Sequence, residues 1–115
     1  MHHVGIEVRN LDRSISFYQK WFHYQVEGRF ILQDESIVFL KYQDSIIELV
    51  ENANLNSHRS DLHMAFSIED IESLLVDMKK EDVRIIEDVI TLKNGWKNAF
   101  IQGPDAEWIE LIQFT

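Results

Sequence analysis

The chain is written twice. Met1-His2-His3-Val4-Gly5-Ile6-Glu7-Val8, followed by Asn10-Leu11-Asp12, returns as Asp61-Leu62-His63-Met64-Ala65-Phe66-Ser67-Ile68, followed by Asp70-Ile71-Glu72. A shift of 60 places His63 on His3, Asp70 on Asn10 and Ile71 on Leu11. Each copy closes on a matching apolar run, Ile46-Ile47-Glu48-Leu49-Val50 and Trp108-Ile109-Glu110-Leu111-Ile112. A fold for this sequence must therefore be buildable from two like halves, each with one histidine near its start and one glutamate near its end.

Hydrophobic periodicity gives the plan of each half. In the first, residues 2–8 alternate as a strand, with His2, Val4, Ile6 and Val8 on one face and His3, Gly5 and Glu7 on the other. Asn10 is a good helix N-cap, and Leu11, Ile15, Tyr18 and Phe22 then recur on one face of a helix ending near Phe22 or His23. Three strands follow, over 25–32, 36–42 and 45–51, separated by the polar turns Gln33-Asp34-Glu35-Ser36 and Gln43-Asp44. The second half repeats the order. A strand over 62–68 leads to the N-cap Asp70 and a helix striped by Ile71, Leu74, Leu75 and Met78. Strands over 83–91, 96–102 and 107–114 come next, punctuated by Asn94-Gly95 and Gly103-Pro104-Asp105. The expected class is α+β: one domain over 1–115 made of two tandem βαβββ modules, 1–51 and 61–115, joined by the polar linker 52–60. His58 reads as a solvated histidine of that linker. Each helix should cover one face of its sheet and leave the other free to enclose something.

Composition narrows the function. With 115 residues and 45% hydrophobic content, the chain can bury a single core. It has no cysteine, which removes disulfides, thiolate nucleophiles and thiolate metal sites. A formal net charge of −9, with no cluster of Lys and Arg beyond Lys79-Lys80, argues against nucleic acid and anionic membranes as partners. There is no long apolar run and no secretory leader pattern at the N-terminus, so the expected location is the cytoplasm.

His3, Glu48, His63 and Glu110 all fall on the strand face turned away from the helices if the alternation holds. A carboxylate inside an apolar run is costly to bury unless it is paired, protonated or bound to a cation. Two imidazoles and two carboxylates make a first shell suited to a divalent metal ion: zinc, nickel, cobalt, manganese or iron. Phe30, Phe39, Trp96 and Phe100 are strand aromatics that either pack the core, which their spacing favours, or face a cavity, where they would suit an apolar or planar substrate. Trp108 shares the alternation face of Glu110, which suits lining a cavity as well as it suits the core. Tyr18, Trp21 and Phe22 read as core or dimer contacts.

The opening run His-Val-Gly-Ile-Glu-Val-Arg-Asn-Leu-Asp-Arg-Ser-Ile-Ser-Phe-Tyr at 3–18, with Gly103-Pro104-Asp105-Ala106-Glu107-Trp108-Ile109-Glu110-Leu111, resembles the vicinal oxygen chelate superfamily. That superfamily holds glyoxalase I, bleomycin-resistance proteins, extradiol dioxygenases, fosfomycin-resistance transferases and methylmalonyl-CoA epimerase. The resemblance implies paired modules forming a cupped mixed sheet with outer helices, commonly in a homodimer. It also implies His3, Glu48, His63 and Glu110 as metal ligands. The His-Glu-His-Glu set looks most like glyoxalase I. The implied function is a metal-dependent lyase or isomerase whose small substrate chelates through adjacent oxygens, with Glu110 as the base and Glu48 as the second carboxylate. The alternatives are a protein that sequesters a small molecule such as an antibiotic, and an iron-dependent ring-cleaving dioxygenase. Glutathione-using members carry an arginine where this chain has Glu7, an acid that would repel a glutathione carboxylate. Asn52 fits a glutathione-contacting position.

Overall fold

In the computed structural model, residues 2–32, 35–55, 63–92 and 94–114 are described. His58, most of the expected linker, Leu62 and the Gln33-Asp34 turn lie outside these residues. The chain divides into two compact units, Met1–Asn56 and Ser57–Thr115.

The first unit runs β1 (Val4–Val8), α1 (Leu11–Phe22), β2 (Gln25–Leu32), β3 (Glu35–Tyr42) and β4 (Ser45–Glu51). Its sheet has the order β1-β4-β3-β2, with β1 parallel to β4 and the other pairs antiparallel. A parallel neighbour needs a crossover, and here α1, β2 and β3 all lie between the two paired strands in sequence. Asn10 caps α1 by accepting from the Arg13 N–H, and His23 ends it in the left-handed region at φ 65. The helix stripe Leu11, Ile15, Tyr18 and Phe22 is buried, and α1 packs on β3 and β4. Val38, Leu40, Ile47 and Leu49 are buried on one sheet face, since Val38 pairs with Leu49 and Leu40 with Ile47. Fully burying side chains of this kind is worth about 1.5–3 kcal/mol each. Glu48 has the opposite parity.

The second unit has the same order: β5 (His63–Ser67), α2 (Ile71–Lys80), β6 (Ile85–Thr91), β7 (Lys97–Gln102) and β8 (Trp108–Gln113). Its sheet is β5-β8-β7-β6, with β5 parallel to β8. Asp70 caps α2 through the Ser73 N–H, and Ile71, Leu75 and Met78 are buried. Ala99 pairs with Leu111 and Ile101 with Ile109, so these four form the buried sheet face. The two tandem βαβββ modules and the α+β class are as the sequence predicts. Strand ends differ by a residue or two. His2 and His3 precede β1, because its parallel ladder with β4 begins only at Val4 and Ile47.

The units also share a device that alternation does not reveal. The first N–H of each helix is taken by the side chain that closes its module: Leu11 donates to Glu51 Oε2 at 3.0 Å, and Ile71 donates to Gln113 Oε1 at 2.8 Å. Helix N-termini leave such donors unsatisfied, so each final strand ties down its helix.

The closing turn between β7 and β8 holds two buried acids, Asp105 and Glu107. The Asp105 N–H donates to Glu107 Oε1 at 2.8 Å, and Gly103 N–H donates to the Glu107 carbonyl at 2.8 Å. A Cβ on Gly103 would overlap the Glu107 carboxyl carbon and both its oxygens. Because that carboxylate is buried and already bonded, it has little room to swing away. Gly103→Ala should therefore cost about 1–3 kcal/mol, the usual range for overpacking. Denaturant unfolding measures this, and an unchanged midpoint would refute the crowding argument.

Candidate functional site

Each unit brings its histidine to its glutamate. In the first, Gly5 on β1 pairs with Glu48 on β4, so both lie on the sheet face away from the buried one. His3 stands two residues before Gly5, with Nε2 3.8 Å from Glu48 Oε1. A side chain at position 5 would crowd this pair, since a Cβ there would sit 3.0 Å from Glu48 Oε1. His3 Nδ1 lies 2.9 Å from His2 Nδ1. When His3 donates in that contact, its ring is held in place and its Nε2 lone pair is left for a metal ion, as an outer hydrogen bond does for many ligating imidazoles.

In the second unit Ala65 on β5 pairs with Glu110 on β8. His63 Nε2 lies 3.0 Å from Glu110 Oε1, and Asn98 Nδ2 donates to Glu110 Oε2 at 3.4 Å. His63 is exposed, whereas Glu110 is half-buried.

The repeat extends to a third residue. Phe39 on β3 pairs with Glu48, and Phe100 on β7 pairs with Glu110. The His3 and Phe39 rings have centroids 5.3 Å apart, and so do those of His63 and Phe100. Each sheet thus offers an imidazole, a carboxylate and a phenyl ring on one face. Phe30 packs on Phe39 at 5.4 Å, and Trp108 on Phe100 at 5.8 Å.

These positions correct the core assignment of the aromatic residues. Phe39 and Phe100 are only half-buried and share the glutamate face, because pairing with Glu48 and Glu110 fixes their parity. Phe30 and Trp96 are exposed, with Trp96 stacked edge-on against Phe114 at 4.5 Å. Trp108 lies on the Glu110 face, paired with His63. Tyr18 and Phe22 are core, as expected. The phenylalanine repeat was legible by carrying the duplication through to 39 and 100. Asn98 was not, since Ile37 occupies the matching place in the first unit: Ile37 pairs with Val50 as Asn98 pairs with Ile112.

The donor set of each pair suits a divalent cation: imidazole nitrogen and carboxylate oxygen, within 4 Å of each other on one face. Each unit contributes two such groups. Among the described residues no cluster of three or more His, Asp or Glu side chains forms. Beside the first pair, Asn52 donates to Glu7 at 3.4 Å, and Glu7 pairs with Val50 along the same face. No helix among the described residues is long and apolar enough to cross a membrane.

Comparison with known proteins agrees with this architecture. A sequence profile of the Glyoxalase/Bleomycin resistance protein/Dioxygenase superfamily matches residues 1–111. The uncharacterized protein YwbC of Bacillus subtilis (strain 168) is 32% identical over 120 residues, covering 96% of this chain and 94% of that protein. A lactoylglutathione lyase of Neisseria meningitidis is 28% identical over 128 residues, covering 96% of this chain and 88% of that enzyme. Among solved structures, the trypanothione-dependent glyoxalase I of Leishmania major superposes with a TM-score of 0.81 at 33% identity, covering 98% of this chain and 85% of that one.

Proposed function

Because the chain belongs to the Glyoxalase/Bleomycin resistance protein/Dioxygenase superfamily, we propose that it is a metal-dependent lyase or isomerase of glyoxalase type. Its substrate is a small hydroxy-carbonyl or dicarbonyl compound that presents two adjacent oxygens. The observation that carries this reading is the repeated pair: one imidazole and one carboxylate brought together at matching places of both units.

In this proposal His3, Glu48, His63 and Glu110 hold one divalent ion, drawn from one chain or from two chains of a homodimer. Such an ion supplies Lewis acidity that stabilises negative charge developing on a substrate oxygen. His3 and His63 would each supply an imidazole nitrogen to the ion. Glu110 takes the proton alpha to the carbonyl and returns it to the neighbouring carbon, and Glu48 balances charge as the second carboxylate. A carboxylate can do this when it lies within hydrogen-bond reach of the carbon acid and is shielded from bulk water. Phe39, Phe100 and Trp108 provide the apolar neighbours. Glu7 places an acid on the same face as Glu48, which disfavours substrates that carry a carboxylate there.

The half-buried rings on the two glutamate faces also favour a second reading, in which the same faces sequester a planar or apolar small molecule without chemistry. One experiment separates the two. Protein purified without chelator is analysed for metal and assayed on methylglyoxal adducts of several thiols, glutathione and trypanothione among them. The enzyme reading expects bound metal, turnover that a chelator abolishes and added metal restores, and weak activity on the glutathione adduct. Failure to turn over any adduct with any of the five metals would discard the enzyme reading. Metal-independent binding of a small aromatic ligand would then establish sequestration.

A further inference from the structure

The two carboxylates are not held alike, and the difference lies in Asn98. Glu48 meets His3 at 3.8 Å through Oε1. Glu110 is closer to its histidine, at 3.0 Å through Oε1, and its other oxygen receives the Asn98 amide at 3.4 Å. A carboxylate oxygen can only accept, so the amide nitrogen must be the atom that faces it. In the first unit the matching residue is Ile37, which offers no donor. Asn98 is therefore a polar, part-buried side chain placed on one sheet only, one strand away from one of two otherwise equivalent glutamates.

We propose that Asn98 is a positioning residue for Glu110, an inference that rests on the glyoxalase-type reading above. Asn98 holds Oε2, which leaves Oε1, the oxygen that meets His63, as the atom that would be available to a cation and to a substrate proton. A glutamate side chain has three rotatable bonds, and a second fixed donor removes much of that freedom. With Oε2 bonded to Asn98, the carboxylate stays within reach of a substrate proton instead of swinging into solvent. Glu48, which has isoleucine at the matching position, has no such donor there and would be the less ordered of the two carboxylates. The duplicated site is thereby made one-sided, and one carboxylate is singled out for proton transfer.

The test uses the full chain with Co(II) as probe, in the wild type, Asn98→Ile and Asn98→Asp. The first variant copies the residue of the other unit. The second keeps the size of asparagine but replaces the donor with an acceptor. Outer partners of metal ligands change affinity or activity by roughly 10- to 100-fold when removed. Both variants should bind Co(II) about tenfold more weakly or worse, show an altered visible Co(II) spectrum, and lose kcat with KM nearly constant. Their melting temperatures without metal should stay close to that of the wild type, because Asn98 sits at the site rim and not in the core. Co(II) affinity, spectrum and kcat all unchanged in both variants would overturn the role of Asn98. A melting temperature that falls while the Co(II) spectrum is unchanged would also overturn it, by showing a purely structural residue. Failure of the wild type itself to bind Co(II) would instead overturn the reading beneath it, so the two failures are distinguishable.

Discussion

Glu110→Gln is expected to lower kcat by about a thousandfold on whichever adduct the protein turns over, within the range seen when a positioned general base is removed. Glutamine keeps the size and one carbonyl oxygen of glutamate, so the ion should still bind, though more weakly. What disappears is the group that accepts the proton. Glu48→Gln makes the comparison informative. It removes the same charge from the equivalent strand position of the other unit, but from a carboxylate assigned to binding. Its expected effect falls mainly on metal affinity, with a smaller fall in kcat. Steady-state kinetics with metal in excess separates the two effects, because saturating metal restores a ligand variant and not a base variant. Equal losses of kcat would remove the distinction between the carboxylates. A larger loss in Glu48→Gln would reverse their roles.

His63→Ala is expected to cost the most in metal binding. It deletes an imidazole that reaches Glu110 at 3.0 Å, so affinity should fall by more than the roughly 10- to 100-fold typical of an outer partner. The fold should hardly notice. His63 is exposed at the first position of β5, and surface changes usually lie within about 0.5 kcal/mol. Isothermal titration with Zn(II) measures the first effect and thermal melting the second. Glu48→Ala decides the ligand number: loss of metal supports four ligands, whereas retention supports the two-histidine, one-glutamate set of an oxygenase-type site. Mixing His3→Ala with His63→Ala asks which chains build the site. Sites shared between protomers would regain activity in the mixed dimer, because one of its two sites would have all four ligands. Sites built within one chain would not. A His63→Ala protein that binds Zn(II) as the wild type does would end the four-residue proposal.

The duplication made the fold unusually readable. His63 answers to His3 and Asp70 to Asn10, so each element has a second copy that follows the same plan. The helix signals were strong for a physical reason: Asn10 and Asp70 accept from Arg13 and Ser73 as N-caps should, and the apolar stripes are buried. The parity of Glu48 and Glu110 was also readable, because a residue between two buried neighbours must face the other way. Ile47 and Leu49 flank Glu48, and Ile109 and Leu111 flank Glu110, and all four are buried.

Spacing alone favours the core for the strand aromatics, but apolar residues are equally at home in a core and on a pocket wall. Only strand register, which pairs Phe39 with Glu48 and Phe100 with Glu110, shows which side they take. The burial of Asp105 and Glu107 is hidden in the sequence for a related reason. A polar turn ordinarily faces water, and their burial depends on how Gly103 folds the chain back on itself.

By itself, then, the sequence determined the two-module plan, the helices and their caps, and the strand face on which each glutamate lies. Those features depend on contacts between near neighbours in the chain, and periodicity records such contacts directly. Tertiary structure alone decided that Phe39 and Phe100 flank the imidazoles, that Glu51 and Gln113 cap the helices from afar, and that Asn98 reaches one glutamate and has no counterpart at the other. Each of these joins residues on different elements, and the distance between them is set by strand register, which no local pattern encodes.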